Sequence, residues 1–113
     1  SDGAGFLYSA EFTDSADWHM IYNGGTTTGE TTSTSVDADD AAVAGEFQIL
    51  RLEVAENGTC RWYIDGVLKQ TKTGAVSTTV DMAVILVVES KTTTALTMDV
   101  DYFYVRSARD FTI

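Results

Sequence analysis

The chain contains no proline, one cysteine, one histidine and only seven lysines and arginines among 113 residues. Each scarcity removes a class of function. A lone cysteine, Cys60, permits no internal disulfide and no cysteine-based metal site. Stability must therefore come from packing, and an oxidising compartment is not required, which fits assembly in a bacterial cytoplasm. A lone histidine, His19, leaves neither a nucleophile–base–acid set for acyl transfer nor the three or four clustered ligands of a zinc site. Seven basic residues stand against 17 acidic ones, a net charge of −10. That field repels a phosphate backbone and an anionic membrane surface, so nucleic acid is not an expected partner. No apolar run approaches the ~20 residues of a membrane helix, and no membrane insertion is expected. The longest run, Met82 to Val88, suits a strand covered on both faces. The first residues, Ser1-Asp2-Gly3, are neither an initiator Met nor a basic lead-in to an apolar stretch, so the expectation is a processed product or a piece of a longer polypeptide.

What is present points to strands. Hydrophobic residues at 44% and charged residues at 21% suffice for one core, which argues for a single folded domain over residues 1–113. The 17 threonines are β-branched and favour a pleated surface over a helix. Phe6, Tyr8, Ala10 and Phe12 alternate with Leu7, Ser9 and Glu11, and a second strand is expected over Trp18–Tyr22. Asn23-Gly24-Gly25 supplies residues that tolerate positive φ at a turn. The stretch Thr26 to Ser35 is nearly all Thr, Ser and Gly and reads as an edge strand or a loop. Asp37 to Gly45, acidic and alanine-rich, reads as a long loop with one helical turn.

From Phe47 the signals are dense. Leu50, Leu52 and Val54 alternate with Ile49, Arg51 and Glu53, and Glu56-Asn57-Gly58 marks a hairpin turn. Cys60, Trp62 and Ile64 then share one face, with Arg61, Tyr63 and Asp65 on the other. Asp65-Gly66 turns the chain again into Val67–Thr71. Near the end, Leu96, Met98, Val100 and Tyr102 alternate with Thr97, Asp99, Asp101 and Phe103. Roughly eight short strands with turns between them predict an all-β, antiparallel β-sandwich or barrel.

The segment from Phe47 to Arg106 carries a resemblance. Its order is Phe-x-Ile-Leu-Arg-Leu-Glu-Val, Asn-Gly, Trp-Tyr-Ile-Asp-Gly-Val-Leu, a long apolar strand, and Met-Asp-Val-Asp-Tyr-Phe-Tyr-Val-Arg. This resembles the C-terminal half of concanavalin A-like (laminin-G-like) jelly rolls, above all those of bacteriophage tail, head-fibre or capsid-associated proteins. Gly5-Phe6-Leu7-Tyr8 and Trp18-His19-Met20 are similar to the middle strands of those domains. The resemblance implies a non-catalytic virion structural or adhesive module, whose partners are other virion proteins, copies of itself or a cell-surface glycan. It implies a place on the virion surface, or otherwise an extracellular one. Jelly rolls of this family have several strands before the counterpart of Gly5. The chain is therefore expected to be the later part of a larger sandwich, or a trimmed one completed by a neighbour.

Two ligand chemistries merit named residues. Carbohydrate binding requires an aromatic stacking platform among polar groups, and Trp18, Tyr22 and Tyr63 are the candidates, with Trp62 assigned to the core. Calcium requires clustered hard oxygens. Asp37, Asp39 and Asp40 lie within one short stretch, although Asp-Ala-Asp-Asp matches only the start of an EF-hand-like pattern and solvated loop charge is the simpler reading. No other cofactor is implied. A lectin-like carbohydrate-binding domain is the alternative function. A glycoside hydrolase remnant is the remote one, resting on Asp99 and Asp101 two residues apart on one strand face. No catalytic residue is assigned.

Overall fold

The computed structural model describes residues 3–9, 16–25, 34–43, 45–79 and 99–105. It divides into two compact units, Ser1–Met82 and Ala83–Ile113. Among the described residues there is no helix, and six strands form two antiparallel three-stranded sheets, both in the first unit.

The first sheet joins β1 (Gly3–Leu7), β2 (Asp17–Asn23) and β3 (Thr34–Ala41) in that order. Phe6 stands opposite Met20 and Ala4 opposite Tyr22, so these four side chains share the inward face. The second sheet joins β4 (Leu50–Val54), β5 (Cys60–Ile64) and β6 (Val67–Lys72). Its inward row is Cys60, Trp62 and Ile64, all fully buried, as the alternation in the sequence predicts. Met20, Tyr22 and Ala38 of the first sheet and Ala75 and Val76 beyond β6 complete the same core cluster. Full burial of Trp62, Ile64 and Met20 contributes roughly 1.5–3 kcal/mol each. Trp62 also ties the sheets together. Its indole Nε1–H donates to the Gly5 carbonyl at 2.8 Å, and its ring lies 5.9 Å from that of Tyr22. All pairings join strands adjacent in sequence, so among the described residues both sheets are meanders.

The two turns of the second sheet follow from their residues. In the β4–β5 hairpin the Gly58 N–H donates to the Ala55 carbonyl at 2.9 Å, and Gly58 takes φ +83°. Asn57 keeps negative φ and accepts from the Thr59 N–H through its side chain. This is a tight turn closed by one left-handed glycine, not a pair of left-handed residues. The β5–β6 turn is of the other kind: Asp65 (φ 50°) and Gly66 (φ 81°) are both left-handed, as a two-residue hairpin requires.

Three sequence expectations are corrected. Asp37–Ala41 is not a loop with a helical turn but the second half of β3, hydrogen-bonded along β2. The small side chain of Ala38 fills the inward position that a larger apolar residue would normally mark. Phe47–Ile49 precedes β4 without joining it. The Ile49 N–H is satisfied instead by the Asp65 carboxylate at 2.9 Å, while the Asp65 N–H donates to the Ile49 carbonyl. Residues 99–105, in the second unit, form no strand, and Val100, Tyr102, Phe103, Tyr104 and Val105 are exposed. The strand expected over Met82–Val88, the turn over Glu89–Thr94, residues 10–15 and most of Thr26–Ser35 lie outside the described residues. No helix among the described residues is long and apolar enough to cross a membrane.

Candidate functional site

The sheets depart from regular pairing at two places. Between β2 and β3 the register runs from His19 opposite Asp37 to Asp17 opposite Ala41, so Trp18 alone faces the three-residue stretch 38–40. Between β5 and β6 it runs from Trp62 opposite Gln70 to Tyr63 opposite Leu68, which leaves Lys69 as the extra residue. Bulges re-aim side chains and end regular pairing, and they gather beside binding sites. Here both irregularities feed one cluster within the first unit.

Trp18 is half-buried at the edge of that cluster. Its Nε1–H donates to the Gln48 Oε1 at 2.9 Å. Gln48, from the segment before β4, returns its amide N–H groups to Asp40 Oδ1 at 3.2 Å and to the Ala41 carbonyl at 3.1 Å. The second oxygen of Asp40 meets Lys69 Nζ at 3.2 Å. These two charged side chains keep 26% and 21% of their surface, enough for a ligand to reach them. Tyr8, just past the end of β1, tilts against Trp18 with ring centroids 5.6 Å apart and stays 48% exposed. The result is a partly exposed pair of aromatic rings beside a chain of amide, carboxylate and ammonium.

The other sequence candidates sit elsewhere. Tyr22 is buried, with its ring against Trp62 and Lys72 Nζ 5.6 Å from its centroid, so it offers no surface platform. Tyr63 lies on the outward face of the second sheet. The Arg51 guanidinium covers its ring at 5.0 Å, its hydroxyl donates to Glu53 at 3.3 Å, and Arg51 pairs with Glu53. That three-residue cluster is satisfied within itself.

The acidic stretch lies in β3 rather than in a loop. Both Asp40 oxygens are engaged by Gln48 and Lys69, and a cation would have to displace the ammonium. Among the described residues, no group of three or more His, Cys, Asp or Glu side chains converges on a metal-sized site. His19 is buried within β2. Cys60 is buried in the core, and burial pushes its thiol pKa up to about 11, so it remains a protonated, inert thiol at neutral pH.

The cluster is only half legible in the sequence. Trp18 and Asp40 stand out there for two different chemistries, and the fold brings them together through Gln48. Alternation places Tyr8 on an inward face, whereas the end of β1 at Leu7 frees it to pack on Trp18. Gln48 and Lys69 carry no signal, because a bulge that projects a lysine has no signature of its own in the sequence. Comparison with protein-family models, curated proteins and solved structures returned no match.

Proposed function

We propose that the chain is a non-catalytic adhesive β-sandwich module that holds a glycan at the Tyr8–Trp18 surface. The observation that carries this reading is the convergence of both β-bulges on one cluster, in which a partly exposed aromatic pair stands beside Asp40 and Lys69. Aromatic rings stack on the C–H faces of sugars, and flanking donors and acceptors fix the hydroxyls. The non-catalytic part of the reading rests on the state of the ionisable groups. Asp40 is neutralised by Lys69, Glu53 by Arg51, and Cys60 is held as a buried thiol. The carboxylates are engaged by basic partners, and the buried thiol is not presented to a substrate.

The proposed setting is the surface of a bacteriophage virion, as a jelly-roll part of a tail, head-fibre or capsid-associated protein. It rests on the likeness of the 47–106 segment to such domains. A free-standing lectin-like domain would use the same cluster, and the two differ in assembly. Sedimentation analysis distinguishes them: a defined oligomer supports the virion module, and a monomer supports the lectin.

The glycan reading is tested on an array of immobilised glycans with the natural chain and Trp18→Ala. Binding that disappears in Trp18→Ala, while circular dichroism shows the sheets intact, supports it. Equal binding by both proteins refutes it.

A further inference from the structure

The hydrogen-bond inventory of the cluster narrows what it can hold. Gln48 has both donors spent: its two N–H groups go to Asp40 and the Ala41 carbonyl, while its oxygen accepts from Trp18 and keeps one lone pair. The Trp18 N–H is spent on Gln48, so Trp18 offers a ligand only its ring. Gln48 is thus a strut that fixes the ring relative to the carboxylate. The charged polar capacity of the cluster belongs to Asp40 and Lys69. The carboxylate has further lone pairs, and the ammonium has two N–H groups beyond the one directed at Asp40.

An acceptor and a donor 3.2 Å apart match two neighbouring hydroxyls, because each hydroxyl can both donate and accept. A vicinal diol in the gauche arrangement, as on a pyranose ring, satisfies both ends at once: one hydroxyl donates to Asp40 and its neighbour accepts from Lys69. The pair as a whole is neutral. An anionic sugar would draw Lys69 away from Asp40 and leave that carboxylate facing a like charge, on a chain whose net charge is already −10.

We propose that the Tyr8–Trp18 cluster selects a neutral glycan, with a pyranose stacked on Trp18 and two adjacent hydroxyls bridging Asp40 and Lys69. This inference rests on the glycan reading above and adds its ligand class. The mode of binding separates the work between the two halves of the site: the ring supplies contact area, and the ion pair supplies the choice of sugar. A neutral ligand also makes binding insensitive to salt, since no counterions are exchanged at the site.

The test is affinity electrophoresis of the full chain through gels containing neutral polysaccharides (mannan, galactan, dextran) or acidic ones (polygalacturonate, alginate), at low and high salt. The expected result is retardation by at least one neutral gel, unchanged by salt, with none in the acidic gels. Asp40→Asn and Lys69→Gln should each weaken retention roughly 10- to 100-fold, the loss that follows from one hydrogen bond to a charged group. Lys69→Arg keeps the charge and the pairing with Asp40 but enlarges the head group, so it should fold normally and still bind more weakly. Retention in acidic gels alone, lost at high salt, overturns the neutral-ligand inference while leaving a glycan site standing. Neutral retention that survives both Asp40→Asn and Lys69→Gln overturns the diol bridge. Absence of retention in every gel overturns the glycan reading itself.

Discussion

A Cβ placed on Gly58 would lie 2.4 Å from the Val76 carbonyl oxygen. The two backbones are in contact because the Ala75 and Val76 N–H groups both donate to the Gly58 carbonyl, at 3.0 and 3.3 Å. The segment after β6 thus folds back over the β4–β5 turn and closes that end of the core with Ala75 and Val76. Gly25 faces the same segment, and a Cβ there would overlap the Gly74 carbonyl oxygen.

Gly58→Ala should therefore destabilise by more than backbone strain alone. Gly66 offers the control, since its φ of +81° matches the +83° of Gly58 but a Cβ there meets open space. Gly66→Ala is expected to cost about 1 kcal/mol from the left-handed conformation, and Gly58→Ala about 2–4 kcal/mol once the displaced 75–76 segment is included. Urea denaturation of the two variants measures the difference. Equal losses would mean that the contact with Val76 carries no energy.

Asp65 performs two tasks in one turn. It adopts φ 50°, and its carboxylate takes the Ile49 N–H that the ladder leaves unpaired. Asp65→Asn retains both the left-handed tolerance and an oxygen acceptor, so it should stay within about 0.5 kcal/mol of the natural chain. Asp65→Ala loses both and should cost roughly 1–3 kcal/mol. Thermal unfolding of the pair checks the ranking.

Trp62→Phe preserves an aromatic core but removes the N–H that binds the Gly5 carbonyl. The expected cost is about 2–4 kcal/mol, combining the lost hydrogen bond with the volume left by the smaller ring. Hydrogen exchange should show faster opening in β1 than in β5, because β1 is the strand that loses its tie to the second sheet.

The Cys60 thiol imposes a pH dependence of defined sign. Burial raises its folded pKa from 9.0 to about 11, so the folded state holds the proton more strongly than the unfolded state. Its contribution is complete below pH 9 and is lost as pH climbs toward 11. Within that window the loss approaches about 1.4 kcal/mol for each tenfold fall in proton concentration. Chemical denaturation across the same range should show a fall in stability that Cys60→Ala, with no group to ionise, reduces. Identical pH profiles for the two proteins would show that the thiol does not ionise on unfolding. Thiol-directed reagents at pH 8 should likewise react only as fast as the chain opens.

How much of this is legible in the chain alone depends on the range of the forces involved. Asn57-Gly58 and Asp65-Gly66 carry turn chemistry that acts over four residues, and strict alternation through Cys60, Trp62 and Ile64 sets which side chains go inward. The strands of the second sheet and its inward row were therefore determined by its own sequence, whereas the exact register at the Ala55–Thr59 turn and the bulge at Lys69 were not. The first sheet was not so determined. Asp37-Ala38-Asp39-Asp40 has no alternation of apolar residues, and only the partner backbone of β2 makes it a strand. The candidate site is farther still from local control. Trp18 meets Gln48 across 30 positions, and Lys69 reaches Asp40 from the other sheet. Those contacts exist because two sheets share one core and each slips register at one point, a decision taken by packing among distant residues rather than by any residue's own propensity. The sequence alone named Trp18 and Asp40; the tertiary structure made them neighbours.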